Sequence, residues 1–553
     1  IDETRSTQLK NPYYGQFVAN KGIVTKAHQR SYNHNLQQLL NYNTSFGAND
    51  EHNLDLLLGH ETYNLRSYSL SAFKTNVYST DNLELNGAIV DGKGSASSFG
   101  EYVNEGYFFR AQYDYDGRIF ASASYRRDAS SRFHPDHRWG DFWSAGIAWI
   151  ISREQWFNAP VFNMLKLKAS VGSQGNDAIG MYRYTDLYSV TNDGNDGVSI
   201  IFGQKGNPNI TWETNTNINV GAEFGLWNDR LSGSVDFFYR LTSDMLFQVP
   251  VTPSLGYSSY FDNIGDMSNA GIEVVLNGDV VRTQNVVWSI NANITWVKNK
   301  IIRLPDSRKD FTYTDENGKS YTGFISGSSL VAEGLPYGTY FMPEAAGLSD
   351  KGEAQWMYYM TEDADGNPIE PKWVTTSAYD NVASSNDSWK LFGASQPKVF
   401  GGFGTTLYAY GFDLSVAFDY QLGGLTYDGA YAGYMSSPTA GDLGSNYHLD
   451  LLDAWSQDNK DSQIPRFQYA DEDTTRTSNR FLISSNYLNI SNINLGYTFP
   501  AKWWNNKISN LRVYVACDNV WYWSKRKGLD PRGTGNANYS PIRTISGGVT
   551  LTF

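Results

Sequence analysis

Residues 288–296 read Trp288-Ser289-Ile290-Asn291-Ala292-Asn293-Ile294-Thr295-Trp296, and their strict alternation decides the fold. A period of two puts Trp288, Ile290, Ala292, Ile294 and Trp296 on one face of a strand, with Ser289, Asn291, Asn293 and Thr295 on the other. The apolar face begins and ends on tryptophan. At a rise of about 3.3 Å per residue and a tilt of roughly 40°, the two indoles stand about 20 Å apart along a membrane normal. That is close to the roughly 25 Å apolar band of a transmembrane barrel, which carries an aromatic girdle at each interface. A sandwich strand with two core tryptophans also satisfies the pattern, because alternation does not say which face meets lipid.

The same phase recurs outward from this stretch. Ile218, Val220, Ala222, Phe224 and Leu226 alternate with polar or small residues, and after the turn at 227–230 the pattern restarts at Leu231, Gly233, Val235, Phe237 and Tyr239. Trp143 and Trp149 bracket a further run and are read with Trp288 and Trp296 as girdle residues. Such runs predict about fifteen strands, at 22–47, 53–77, 98–115, 118–126, 140–152, 162–176, 211–227, 231–247, 268–281, 285–302, 396–410, 412–427, 481–498, 511–526 and 541–553. Connections between them alternate short and long, the largest being 177–210, 303–395 and 428–480. Sorting of loops by parity belongs to transmembrane barrels, which have short periplasmic turns and long extracellular loops. A sandwich or propeller has no reason to sort them.

The final strand, Ile545, Gly547, Val549, Leu551 and Phe553, stops on an aromatic residue. An amphipathic strand closing on phenylalanine resembles the signal read by the barrel-assembly machinery, and it sets the C-terminus at the periplasmic face. Counting back places every long connection, and residues 1–21, outside. An odd strand count with an extracellular start cannot close, so strands upstream of residue 1 are expected.

Composition narrows the functional classes. Aromatic residues make up 15% of the chain and charged residues 18%, a balance rich in strand formers and poor in charge for a soluble protein of 553 residues. Mean hydropathy is nevertheless −0.46, and the lack of any long apolar run excludes transmembrane helices. A net charge of −13 argues against nucleic acid as a partner. The single cysteine, Cys517, allows no disulfide within the chain and reads as a small packed side chain.

Six strings then carry a family resemblance: LKLKASVGSQGN (Leu165 to Asn176), RRDASSRF with HRWGDFWSAGIAWIIS (Arg126 to Ser152), NPNITWETNTNINVGAEFGLWNDRLSGSVDFFYRLTSDML (Asn207 to Leu246), NIGDMSNAGIEVVL (Asn263 to Leu276), PKVFGGFGTTLYAYGFDLSV (Pro397 to Val416) and NYLNISNINLGYTFP (Asn486 to Pro500). In order and over nearly the whole chain, they resemble the C-terminal part of the barrel of SusC/RagA-type TonB-linked outer-membrane transporters of Bacteroidetes. The resemblance implies an all-β transmembrane antiparallel barrel of 22 strands, so that about seven strands, the plug domain and the TonB box are not in residues 1–553. It also implies TonB-energised import of oligosaccharides or oligopeptides with a SusD-like surface lipoprotein, TonB acting through the absent N-terminal region and the barrel wall bounded by outer-membrane lipids. A passive porin-like or structural barrel is the alternative, and a secreted all-β enzyme or glycan-binding module is a third class.

No catalytic constellation, metal-ligand spacing, phosphate loop or cofactor motif is present in the sequence. Asp363, Asp365 and Asn367 faintly resemble a calcium loop, but a glutamate at the twelfth position is missing, and a polar turn is the plainer account. Substrate or partner contacts are expected in the long loops, because loops on a rigid scaffold carry binding. The candidates are Trp356, Tyr358, Tyr359, Trp373 and Trp389 in one loop and Tyr431, Tyr434, Tyr447 and Asp442 in another. Their aromatic rings suit sugar stacking or a protein partner, and equally suit packing that holds a long loop together.

Overall fold

The computed structural model describes the whole chain except residues 16, 93, 193–196, 364, 440–443, 505–506, 528–531 and 533–540. Sixteen long strands form the wall. They are β1 (Asp2–Lys10), β2 (Ile23–Phe46), β3 (His52–Val77), β4 (Ala96–Tyr115), β5 (Ile119–Ser130), β6 (Trp139–Ile150), β7 (Phe162–Asn176), β8 (Glu213–Leu226), β9 (Leu231–Ser243), β10 (Asp266–Arg282), β11 (Val286–Arg303), β12 (Val399–Ala409), β13 (Phe412–Leu422), β14 (Tyr487–Phe499), β15 (Asn510–Ser524) and β16 (Thr544–Thr552). With the short strand Ala88–Asp91 they belong to a 17-stranded sheet.

The chain divides into two compact units, one of residues 1–149, 170–217 and 242–264, the other of 150–169, 218–241 and 265–553. In the first, β1 to β6 pair antiparallel in chain order. In the second, β10 to β16 do the same. Chain-order antiparallel pairing gathers alternate connections at the same edge, so loop parity in the sequence becomes geometry.

Local chemistry sets the tight turns. Asp116 and Gly117 both have positive φ, 51° and 60°, as a type I′ turn between right-twisted strands requires. The Asp114 carboxylate accepts the Gly117 N–H at 2.8 Å and fixes that turn. At the other edge, β2 and β3 run 24 and 26 residues, far more than the 9–11 needed to cross a bilayer. Their polar ends therefore continue the sheet beyond the apolar band.

Side-chain phase sorts the wall as the alternation predicts. In the second unit Val220, Phe237, Ile290, Ile294 and Val515 are all exposed on one face. The opposite face carries charge: Lys168 binds Glu223 at 3.0 Å and Asp236 at 2.8 Å, and Arg512 binds Asp413 and Asn494. The first unit repeats this, with Tyr107, Phe109 and Tyr125 exposed and Arg126 paired with Glu61 and Asp128 on the other side. A broad exposed apolar face backed by ion pairs is the inverse of a soluble sandwich, and it fits a wall whose outside is lipid. Trp288 and Trp296 are 40% and 44% exposed at the two ends of the β11 stripe, and Trp143 is exposed on β6 with Trp149 half-buried.

All fifteen expected strands are present within a few residues, and the differences have local causes. Asp2–Lys10 is a sixteenth wall strand, paired residue for residue with Ile23–Ser31. Residues 1–21 therefore include a strand of the sheet, on the polar end of β2 beyond the apolar band, and the count among the described residues is sixteen where fifteen were expected. The sequence Asp2-Glu3-Thr4-Arg5-Ser6-Thr7-Gln8 has no apolar phase, so alternation could not find it. Loop parity also has an exception, since connection 131–138 is shorter than 151–161. Strand β5 reaches Ser130 because the polar residues Arg126 and Asp128 continue the ladder. The runs expected at 412–427 and 481–498 each break: Gly423 and Gly424, both at positive φ, interrupt the first, and the fragments Leu425–Tyr427 and Leu482–Ser484 pair with each other apart from the wall. Phe553 lies one residue beyond β16 and is 84% exposed.

Two outcomes follow. Ala292→Arg, at the middle of the β11 stripe, is expected to cost about 2–4 kcal/mol in denaturant unfolding from lipid vesicles, against about 0–1 kcal/mol for Trp296→Arg at its end; equal tolerance of both would remove lipid from that face. Deleting Phe553 is expected to lower the folded, heat-modifiable fraction recovered in outer membranes without changing ligand preference. Normal recovery would refute its role as an assembly signal.

Candidate functional site in the outer loops

The two longest connections of the second unit, 304–398 and 423–486, fold on themselves. In the first, Phe311–Thr314, Ser320–Ser326, Ser329–Ala332, Thr339–Pro343 and Trp389–Ala394 make a five-stranded sheet, and Ala345–Leu348, Ala354–Glu362 and Pro368–Thr376 a three-stranded one. The hairpin turns use one device. Asp315 Oδ1 accepts the N–H groups of Asn317 and Lys319 at 2.9 Å while Gly318 supplies a φ of 78°. Asp363 repeats it, accepting from Asp365 at 3.0 Å and Asn367 at 2.9 Å, with Gly366 at 81°. The Asn367 N–H leads the bonds that hold the Asp363 carboxyl below its usual range. Asp363, Asp365, Gly366 and Asn367 thus belong to a polar hairpin turn, and among the described residues no group of three or more His, Cys, Asp or Glu is placed to hold a metal ion.

Each folded loop has its own apolar core. Leu330, Ala332, Leu335 and Phe341 form one, with Phe311, Tyr313 and Trp389 packed against it. Trp389 reaches the Phe341 ring at 5.6 Å and its indole N–H donates to the Val382 carbonyl at 3.1 Å. Trp356 is 2% exposed in a second core with Ala354 and Val382, its ring 5.0 Å from Tyr379, and Tyr358 packs on it. Trp356 and Trp389 therefore hold the loop together. Tyr359 and Trp373 pair at 5.2 Å, and Trp373 remains 41% exposed beneath the Lys390 ammonium, 4.9 Å away.

The connection 423–486 carries a short helix, Gly429–Tyr434, capped by Asp428, whose carboxylate accepts the Tyr431 N–H at 3.1 Å. Tyr431 packs near Phe481 and edge-on to His448 at 4.8 Å, while its hydroxyl donates to Asp450 at 2.6 Å. Lys527 makes a close ion pair with the same carboxylate. Those bonds, Lys527 first, hold the Asp450 carboxyl below its ordinary value, and burial pushes the Tyr431 phenol up. Tyr447 stands edge-on to Phe467 at 5.3 Å, Tyr434 is 40% exposed, and Asp442 lies outside the described residues. Of the candidates, the structure leaves Trp373 and Tyr434 most open to a ligand.

Sequence reading missed the polar cavity of about 170 Å³ bounded by Gln355, Trp356, Gln463, Thr474, Arg476 and Arg480. Arg476 is held by Asp473 at 3.0 Å, and Arg480 donates to the Gln463 carbonyl at 3.0 Å. Burial drives the Arg480 guanidinium down to about 10. Two guanidinium groups and two amides make a site suited to hydroxyl or carboxylate oxygens. Nothing local in the sequence marks it, because its walls come from both connections.

Comparison with known proteins places this geometry. The family model for TonB dependent receptor-like, beta-barrel proteins matches residues 2–395. The TonB-dependent receptor SusC of Bacteroides thetaiotaomicron is 26% identical over 543 residues, covering 96% of this chain and 50% of its own. TonB-dependent receptor P3 of Formosa agariphila is 26% identical over 562 residues, covering 96% and 53%. A solved chain described as the RagAB peptide transporter superposes with a TM-score of 0.83 at 26% identity, covering all of this chain and 59% of that one. The chain spans about half the length of the curated relatives it matches.

The Asp450 contacts generate a pH prediction. A carboxyl depressed in the folded state contributes stability above its unfolded pKa, near 3.9, and loses it as pH falls through the folded value. Protease cleavage within 429–453 is expected to rise as pH drops below about 4. In Asp450→Asn the sensitivity is expected to be raised already at pH 7 and to change little on acidification. A wild-type loop whose cleavage does not change from pH 7 to 3 would contradict this.

Proposed function

Since the chain belongs to the TonB dependent receptor-like β-barrel family, and is of its SusC/RagA type, we propose that it forms much of the wall and the outer loops of a TonB-energised importer of oligosaccharides or oligopeptides. The observation that carries this reading is the superposition of the whole chain on the RagAB transporter chain. The loops support it. Each has its own apolar core, so each presents a defined outer surface. Relatives named as receptors and transporters rather than enzymes agree with the lack of a catalytic cluster in the sequence.

In this reading Trp373 and Tyr434 offer ring faces to a flat ligand, and the cavity of Arg476 and Arg480 receives polar groups. Rings already seated in the wall of a folded loop lose little rotamer freedom on binding. A SusD-like surface lipoprotein is the partner proposed to cover the outer edge, as the resemblance to SusC/RagA-type transporters implies. Both proposed oligomers carry many hydroxyl or amide groups for the arginine and glutamine donors.

Titration calorimetry of the full-length protein with its co-purified lipoprotein, against a panel of oligosaccharides and peptides, tests the reading. Binding of one class at micromolar or tighter affinity is expected, weakened about threefold to tenfold by Trp373→Ala or Tyr434→Ala. No binding by either class, with free diffusion of small solutes through the reconstituted protein, would favour a passive barrel.

A further inference from the structure

Strand β11 does not end at its second girdle tryptophan. Past Trp296 the same face continues with Lys298, Lys300 and Ile302, all exposed, before the chain enters the long connection. At about 3.3 Å per residue and a tilt near 40°, the lysines stand roughly 5 and 10 Å beyond the indole along the membrane normal. That is head-group depth on the side of the long loops. Their cross-strand neighbours on β10, Ala270 and Ser268, carry no charge.

Trp296, Lys298 and Lys300 line a groove of about 530 Å³, closed on its other side by Phe392, Leu425 and Lys398 among others. No acidic residue lines it. Lys298 and Lys300 put two ammonium groups on one face without a carboxylate, in a chain of net charge −13. Among the described residues none of the three lysines enters an ion pair. The groove is amphipathic in the order a lipid demands, with the indole at the edge of the apolar band and the cations farther out.

We infer that this groove binds the phosphate-bearing head group of an outer-leaflet lipid, held by Lys298 and Lys300. The occupant is fixed by continuity: the lysines lie on the face that Ile290, Ile294 and Trp296 expose to hydrocarbon, so a molecule reaching them along that face has acyl chains below and its polar group above. Long lysine stems suit this, because they extend along apolar surface and keep the charge at the interface. A lipid locked here would brace the base of the folded loop 304–398, since the Val297 N–H donates to the Lys398 carbonyl at 2.9 Å directly across the groove floor.

The test uses the full-length protein in detergent, stripped of lipid and titrated with diphosphorylated lipid A, dephosphorylated lipid A and inorganic phosphate under native mass spectrometry. Diphosphorylated lipid A is expected to bind wild type and to bind Lys298→Gln/Lys300→Gln about thirtyfold more weakly. Lys298→Arg/Lys300→Arg keeps the charges and is expected to bind within about threefold of wild type, while Lys351→Gln/Lys460→Gln, in exposed loop positions, leaves binding unchanged. Unchanged affinity in the glutamine double variant, with heat-modifiability intact, overturns the site. Equal binding of the dephosphorylated lipid overturns the phosphate contact, and inorganic phosphate binding as tightly as the lipid makes it a free-anion site and overturns the lipid assignment.

Discussion

Within the hydrocarbon layer there is no water to satisfy a peptide group, so each backbone N–H and C=O that crosses it must bond to a neighbouring strand. Everything else in this molecule depends on that constraint. It accounts for uninterrupted ladders such as that between β2 and β3, and for the confinement of Gly423, Gly424 and the short loop strands to places beyond the apolar band. Once the ladder is fixed, side chains have only two directions to point. Lipid takes one of them, and the ion pairs of Lys168, Glu223 and Asp236 or of Arg126, Glu61 and Asp128 collect on the other.

Outside the membrane the constraint lifts, and ordinary globular physics returns. The long connections bury Phe341, Trp356, Val382 and Phe481 in small cores and close their hairpins with aspartate side chains. A long loop with no core would lose much conformational entropy whenever it gripped a ligand; one that is already folded does not. The aromatic richness that distinguishes the composition thus serves two ends. Some rings stand exposed along the strands, others fill the loop interiors, and a few on the loops remain exposed.

Much of the wall was legible in the sequence. Fifteen strands emerged from period-two alternation, and the tryptophans of β11 marked the limits of its apolar stripe before any coordinates. Asp2–Lys10 was not legible, because a strand with no apolar phase looks like a loop, and its pairing with Ile23–Ser31 is a long-range fact. The candidate site was legible only as a region. Tryptophans 356, 373 and 389 are indistinguishable by composition, yet the first is buried, the second exposed, and the third fastened by its indole to Val382. The Arg476 and Arg480 cavity and the lysine groove both draw walls from segments far apart in the chain.

The sequence by itself determined which residues share a face of each strand, because alternation is a local property that a strand cannot escape: a slip of one residue would invert every side chain. That the apolar face is the exposed one, with ion pairs behind it, came from the structure. The sequence also pointed to the long connections as the place to look for binding residues. Only the tertiary structure decided which aromatic rings stay exposed and which cations gather, because loop burial is set by contacts between distant residues. Phe341 is enclosed by Phe311 and Trp389 from opposite ends of one connection, and Lys298 meets Leu425 across a groove that exists only when three segments pack together.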